Sequence, residues 1–434
     1  MASPAVGARE RAEAVARSSY GRLLAILASS SGDIPSAEDA LAGAFEKALT
    51  TWPTAGIPDN PEGWLLTVGR NRLRDLWKAA AIRSTSPLRD LAEADAPFDA
   101  GLDDVDFDKI ADRRLELLFV CAHPAIDPSV RTPLMLQTVL GFESAQIAAA
   151  FAVPATAMAQ RLVRAKRRIR DARIPFVLPG MSDMPARIAA VLEAIYGAYA
   201  IDWQGVAGAS ERESLATEAL HLATTLTQLL PDEPEVLGLA ALISLSLARA
   251  PARRGADGAL IALDRQDVAR WDARLIAQGE SLLHRAHELG RIGRFQVEAA
   301  IQSVHCDRAR TGRTDRPALK RLATALVTLA PTLGAQVSLA ATIGDVDGPA
   351  AGLAVLDTLS GLEGIERFQP AWATRAHLLE QAGRHAEARS AYAKAISLTT
   401  DATTRDALES ASRRPDRSSD ESPPGVVVAP APEC

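Results

Sequence analysis

The strongest chemical signal in this chain is a concentration of positive charge between residues 155 and 173, where seven Lys and Arg residues stand against one acid. Arg and Gln side chains can pair with base edges in the major groove of DNA, while surplus cations neutralise phosphates. We therefore predict a DNA-reading face formed by Thr156, Gln160, Arg161, Arg164, Arg167 and Arg168. The alternative is a solvated cationic face on an unrelated helical bundle.

The residues before this basic run predict the element that would position it. A short helix is expected at 145–151, a turn at 152–154, and a longer helix from Ala155. This is the spacing of a helix-turn-helix, in which the second helix enters the major groove. The shared core of the two helices is expected to contain Ile147, Ala148, Phe151, Val153, Met158 and Leu162.

A second group of cations lies among aromatic residues between positions 52 and 83. Aromatic rings can stack on unpaired bases while Arg holds the backbone, so this mixture suits single-stranded nucleic acid. The polar members are Arg70, Asn71, Arg72, Arg74, Asp75, Lys78 and Arg83, and the aromatic ones are Trp52, Trp64 and Trp77. The alternative is that Trp64 and Trp77 belong to the core of a small domain.

The total charge of −6 would discourage a nucleic-acid function, but the charges are segregated along the chain. Residues 84–112 carry nine acids and two bases, which predicts a mobile acidic linker. The three Cys residues follow no metal-ligand spacing and fit a reducing cytoplasm. The N-terminus predicts no signal peptide, and the longest apolar run, 237–248, is too short to span a bilayer. We expect a soluble cytoplasmic protein with no membrane partner.

Catalysis has little support in the sequence. It contains no Gly-rich phosphate loop, nucleophile elbow or His-Glu-x-x-His motif. His284 and His287 share a helical face without a third ligand, and Cys121 with His123 fits the core of a small domain. We expect a protein that is not an enzyme, with no cofactor and no metal site.

Helical periodicity dominates throughout and predicts an all-α fold. We expect a second helix that starts at Ser36 as its N-cap and a loop at 52–61 broken by Pro residues. The predicted domains are two small helical domains at 8–83 and 113–175, the linker at 84–112 between them, a helical array at 180–411 and a disordered tail at 412–434.

Spacings typical of tetratricopeptide (TPR) repeats occur between residues 371 and 398. Counting from Trp372, small or large apolar residues recur where two antiparallel helices would cross, with Gly383 at the turn between them. These positions are Ala376, Leu379, Ala388, Tyr392 and Ala395. We predict a TPR-like domain, with an ordinary antiparallel helical array as the alternative.

In combination, several segments resemble the extracytoplasmic-function (ECF) RNA polymerase sigma factors that carry a long C-terminal TPR-like domain. The segments that carry the resemblance are 36–41 with Phe45, 58–61, 64–68 with 70–72, 121–124, 147–148, 151–154 and 158–166. Further matches are 230–236 and 347–353, so that the resemblance reaches about residue 410.

The resemblance implies a role for each part. The helix at 36–49 would bind core RNA polymerase through Glu38, Asp39, Leu41 and Phe45. The loop at 52–61 and the following helix would melt and read the −10 element of promoter DNA, through Asn60, Trp64, Arg70, Asn71 and Arg74. The helix at 155–170 would read the −35 element as duplex. The acidic linker would cross the polymerase. Apart from the resemblance, the length of the C-terminal array suggests a regulatory or docking surface for a protein partner.

The function predicted from the sequence is therefore a sigma factor regulated by its C-terminal domain. A helix-turn-helix transcriptional regulator with a TPR-type sensor domain is the alternative, and an interaction scaffold with an incidental basic helix is a third class. Of these three functions, only that of a sigma factor gives a role to the segment at 36–81 and to the acidic linker. Binding to core polymerase would separate it from the other two classes.

Overall fold

The computed structural model describes residues 4–83, 107, 112–151, 153–180, 182–203, 209–255, 258, 260–399 and 402–413. The fold is all-α, as predicted, and within these ranges the extended pairing is limited to one isolated bridge between Arg254 and Leu260. The chain divides into two compact units, Met1–Gly197 and Ala198–Glu433.

The first unit contains seven helices in its described residues and most of an eighth. Their bounds are α1 Pro4–Ser31, α2 Ile34–Ala55, α3 Pro61–Arg83, α4 Arg114–Cys121, α5 Pro128–Thr138, α6 Ser144–Ala150, α7 Ala155–Asp171 and α8 Pro185–Trp203. The division between the units falls within α8. The segments predicted as two separate domains, 8–83 and 113–175, thus lie in one compact unit.

The helices α1, α2 and α3 form a bundle because each presents an apolar stripe at helical spacing. The fully buried side chains include Leu23, Leu24 and Leu27 of α1, Ala37, Leu41 and Ala44 of α2, and Leu65, Leu66 and Leu73 of α3. Burial of one such side chain contributes about 1.5–3 kcal/mol. This core fixes the faces of α2 and α3 that remain on the surface.

Both ends of α2 differ from the prediction. The helix begins at Ile34 with Asp33 as N-cap, and the Ser36 hydroxyl donates to the Asp33 carboxylate from inside the first turn. At the other end α2 continues through Pro53 to Ala55, where a loop was expected from residue 52. Pro53 lies in the last turn, where it removes the hydrogen bond to the Leu49 carbonyl, and α2 ends two residues after it.

The predicted acidic linker and tail lie mostly outside the described residues. Of the linker, the structure describes Phe107 and Asp112. Phe107 is buried, its carbonyl accepts from Arg22 Nη2 of α1 at 2.9 Å, and the Arg22 guanidinium stands 4.1 Å from its ring centroid. Of the tail, Ser412 ends the last helix and Arg413 follows it, while 414–434 are outside the described ranges.

The second unit continues the all-α architecture. Its helices are α9 Ala209–Leu229, α10 Pro234–Leu247, α11 Ala273–Glu288, α12 Arg294–Cys306, α13 Arg308–Thr311, α14 Arg316–Leu329, α15 Leu333–Asp347, α16 Pro349–Thr358, α17 Gln369–Gln381, α18 His385–Leu398 and α19 Ala402–Ser412. Short 3-10 turns occur at Ala250–Ala252, Leu263–Arg265, Val268–Arg270 and Ile365–Arg367.

The helix α10 is the core helix of the second unit and packs against α9, α11 and α12. Residues 234–252 are long and apolar enough to cross a bilayer by length and composition. However, 78% of this segment is buried inside the protein, which is typical of a core helix.

The pair α17 and α18 occupies the segment with TPR-like spacing, and Gly383 forms the predicted turn with a φ of 73°. The five repeat positions Ala376, Leu379, Ala388, Tyr392 and Ala395 are all buried. The small side chains of Ala376, Ala388 and Ala395 let two helices approach closely. The packing of α17 against α18 is therefore the packing expected from the sequence. Assignment to the TPR class stays a prediction.

The stability of the second unit is expected to depend on pH through His305 of α12. Burial and the nearby charges of Arg249 and Arg308 lower the pKa of His305 to about 3, from 6.5 in an unfolded chain. As the pH falls, His305 is therefore protonated in the unfolded chain at a higher pH than in the folded protein. The free energy of unfolding should fall by up to about 1.4 kcal/mol for each pH unit below 6.5.

Thermal unfolding measured between pH 7 and pH 5 checks this expectation. His305→Gln should flatten the loss of stability on acidification, whereas the same substitution at the exposed His284 should leave the slope as it is. Equal slopes for wild type and His305→Gln would contradict the assignment.

Candidate nucleic-acid interface

The helices α6 and α7 form the element predicted to read duplex DNA. The first turn of α6 is closed by a capping box in which the Glu143 N–H donates to Gln146 Oε1 at 2.9 Å. The expected shared core is confirmed at Ile147, Ala148, Met158 and Leu162, which are buried. Phe151 and Val153 are half-buried.

The opposite face of α7 carries the predicted reading residues. Thr156, Gln160, Arg161, Arg164, Arg167 and Arg168 are all exposed. Within the part of the chain that the structure describes, none of these four Arg side chains forms an ion pair. The face is therefore a continuous cationic stripe whose donors are available to phosphates or base edges.

The helix α3 brings together part of the second predicted site. Asn71 and Arg74 are exposed and adjacent, with Arg74 Nη1 donating to Asn71 Oδ1 at 3.2 Å. Arg70 is half-buried, and burial lowers its pKa. Asn60 lies at the start of α3, where its Oδ1 accepts from the Gly63 N–H at 2.8 Å. Its amide is thus engaged in holding the helix start.

The aromatic residues of this site divide between core and surface. Trp64 is 7% exposed and packs edge-to-face on Trp52, with ring centroids 5.5 Å apart. The core alternative therefore holds for Trp64, and its role in reading single-stranded DNA stays a prediction. Trp77 is 38% exposed and lies on α3 one turn from Arg74. It is the ring available for stacking, although it was not among the predicted contact residues.

The predicted polymerase-binding residues on α2 also differ in how far they are exposed to solvent. Asp39 is exposed, while Glu38 and Phe45 are half-buried. Leu41 is fully buried in the α1–α3 core and presents no side-chain surface to a partner in this structure, so its contact role stays a prediction. The apolar periodicity that made Leu41 conspicuous comes from its packing against neighbouring helices.

Glu38 has a partner 128 residues away along the chain. Its Oε1 accepts from Lys166 Nζ of α7 at 2.5 Å, and the side chains are 24% and 9% exposed. Burial raises the pKa of Glu38, and the charge of Lys166 opposes that shift. Lys166 belongs to the basic run, but it lies on the buried side of α7, opposite the exposed Arg residues. Sequence spacing contains no signal for such a long-range ion pair.

Cys121 lies in the core of the same unit, as predicted. Its Sγ is 3.5 Å from Thr138 Oγ1, and burial raises its thiol pKa to about 12. A thiol with this pKa stays protonated and unreactive at neutral pH. In the described residues no cluster of three or more His, Cys, Asp or Glu side chains is arranged to hold a metal ion.

Comparison with known proteins places the chain in a family. The Uncharacterized protein R00370 of Rhizobium meliloti (strain 1021) is 35% identical over 371 residues, which cover 84% of this chain and 86% of that protein. This chain belongs to the R00370 family. Residues 187–287 also match a family of unknown function (DUF6596).

A shorter match relates part of this chain to ECF sigma factors. Two proteins named Probable ECF RNA polymerase sigma factor SigI, from Mycobacterium tuberculosis strains CDC 1551 / Oshkosh and ATCC 25618 / H37Rv, are each 31% identical over 145 residues. The match covers 33% of this chain and 49% of each of those proteins, so the chain contains a region similar to an ECF sigma factor. No solved structure matches the chain.

Proposed function

We propose that this protein is a sigma factor that binds core RNA polymerase and directs promoter-specific initiation of transcription. It acts in the cytoplasm as a subunit without catalytic activity, cofactor or metal. The observation that carries the proposal is the unpaired cationic face of α7, formed in a chain that also contains a region similar to ECF sigma factors.

Recognition of the −35 duplex is proposed for α7 because its exposed side chains combine Gln160 with Arg161 and Arg164 on adjacent turns. Gln and Arg each offer paired hydrogen bonds to base edges. Arg167 and Arg168 extend the same surface and suit the phosphate backbone. The short capped helix α6 supports α7 through their common apolar core.

Recognition of the −10 element is proposed for the exposed part of α3. Asn71, Arg74 and Trp77 are the polar and aromatic groups that this surface offers to unpaired bases. Arg70 adds positive charge at its edge. The polymerase-binding surface is proposed for the part of α2 that carries Glu38, Asp39 and Phe45.

Binding to purified core RNA polymerase tests this proposal against a helix-turn-helix regulator with a TPR-type sensor domain. A sigma factor forms a stoichiometric complex with core enzyme in the absence of DNA, whereas a regulator needs only the duplex. A chain that binds duplex DNA and fails to bind core enzyme would support the regulator.

We further propose that the second unit regulates the first through a protein partner bound to the TPR-like helices. A chain that ends after residue 203 retains all of α1–α8. In reconstituted transcription its output should differ from that of the full chain, while its affinity for promoter duplex stays the same because α7 is intact. Indistinguishable output from the two chains would refute regulation by the second unit.

A further inference from the structure

The face of α2 proposed for polymerase binding is already in contact with the helix proposed for DNA binding. Lys166 of α7 reaches Glu38 of α2, and both charges are largely withdrawn from solvent. Ion pairs of this kind are weakly screened, and separating them leaves a buried charge without compensation. Glu38 therefore serves as the attachment point of α7 in the free protein.

A second contact, independent of this ion pair, also joins the helices α1–α3 to the helices α4–α7. The backbone of α1 at Gly21 lies against the chain that follows α5, so that a Cβ on Gly21 would come within 1.8 Å of the Val139 carbonyl oxygen. A third contact is made by Arg22, which holds Phe107 by its carbonyl and its ring. The first two contacts join α1–α3 to α4–α7 in a closed arrangement, and the third holds Phe107 of the connecting segment against α1.

The closed arrangement affects the two proposed surfaces differently. Arg161, Arg164 and the other reading residues of α7 remain exposed. Glu38, in contrast, has its Oε1 engaged by Lys166, and α7 packs against α2 around this pair. The arrangement is thus selective: α7 covers part of the partner surface on α2 and leaves its own DNA-reading stripe accessible.

We propose that α7 is an internal competitor for the partner surface of α2, and that a basic patch on the partner takes over Glu38 from Lys166 when it binds. The inference rests on the proposed function for the identity of the partner, core RNA polymerase. Only the open fraction of the protein binds this partner, so the apparent affinity is reduced by that fraction. Weakening the closed arrangement raises the affinity without any new contact to the partner.

Two variants open the arrangement without altering the proposed contact residues. Gly21→Ala introduces the clash with Val139, and Lys166→Met removes the charge from Glu38 while keeping the apolar stem. Their controls are Gly7→Ala, in the same helix with open space around it, and Lys394→Met, at an exposed position of α18. Thermal unfolding of the full chain and its affinity for purified core polymerase are measured for all four.

Gly21→Ala should lower the melting temperature by several degrees, whereas Gly7→Ala should leave it unchanged or raise it, because Ala favours helix. Both opening variants should bind core polymerase more tightly than wild type, by roughly three- to tenfold if the open fraction is small. The controls should match wild type. Binding by the opening variants alone, with none by wild type, would support the inference in its strongest form.

Two results overturn the inference in distinguishable ways. If wild type and both opening variants bind core polymerase with equal affinity, α7 is not a competitor, while the proposed function stands. If neither wild type nor any variant binds core polymerase, the proposed function fails and the inference fails with it. A melting temperature for Gly21→Ala at or above that of Gly7→Ala shows that the closed arrangement does not form in solution, and this also overturns the inference.

Discussion

Replacing both Arg161 and Arg164 by Ala is expected to abolish most of the sequence-specific binding to promoter duplex that we propose for this protein. Each side chain is exposed on α7 and can make a paired contact to a base edge worth about 1–3 kcal/mol. Each substitution should therefore weaken binding by roughly 5- to 150-fold, and the double variant by more than either. Because neither side chain is part of the core, the stability of the protein should be unchanged.

Titration of labelled promoter duplex at a fixed moderate salt concentration measures this effect. A matched control is the double variant Arg274→Ala with Arg285→Ala, which makes the same change of charge at exposed positions of α11 in the second unit. The control should bind as wild type does. A salt titration distinguishes contacts to base edges from contacts to phosphates. Loss of a phosphate contact lowers the salt dependence of the binding constant by about one counterion, whereas loss of a base contact does not. Unchanged affinity of the Arg161/Arg164 variant would show that this face does not read DNA.

Leu41→Ala is expected to cost about 2–5 kcal/mol of unfolding free energy, because its side chain is fully buried between α1, α2 and α3 and leaves a cavity when shortened. Any loss of polymerase binding by this variant should follow the loss of folded protein. Leu49→Ala is the matched control, as Leu49 lies on the same helix and is 47% exposed. It should change stability by no more than about 0.5 kcal/mol.

Urea unfolding of the two variants and wild type provides the comparison. A small effect for Leu41→Ala, equal to that of Leu49→Ala, would mean that the inward face of α2 is assigned incorrectly. That outcome would restore Leu41 as a surface residue and a direct contact for a partner.

Local patterns in the sequence were sufficient to predict the helices and the exposed face of α7. Amphipathic spacing alone separates Met158 and Leu162 from Arg161 and Arg164, because a helix turns about 100° per residue. The start of α7 at Ala155 is consistent with Pro154 at its N-cap, because helical backbone is disfavoured at the residue before a Pro and the helix does not extend further back. The all-α fold follows from the same periodicity repeated along the chain.

Features that depend on contacts between distant residues could not be predicted in this way. The Glu38–Lys166 pair joins positions 128 residues apart. Helical spacing places Lys166 on the same face as Leu162 and Ile169, but nothing in either local pattern identifies Glu38 as its partner. Leu41 and Trp64 were predicted as contact residues for a related reason, although both side chains are buried. An apolar residue at helical spacing indicates a buried face without showing whether another helix or a partner protein covers it.

Transcription from a promoter template in a reconstituted reaction tests the central claim most directly. Purified core RNA polymerase is combined with this protein and with a template library, and the start sites of the transcripts are mapped. The proposal predicts initiation at a defined set of promoters that depends on the protein and is lost in the Arg161/Arg164 double variant. Transcripts whose number and start sites are the same with and without the protein would contradict its assignment as a sigma factor.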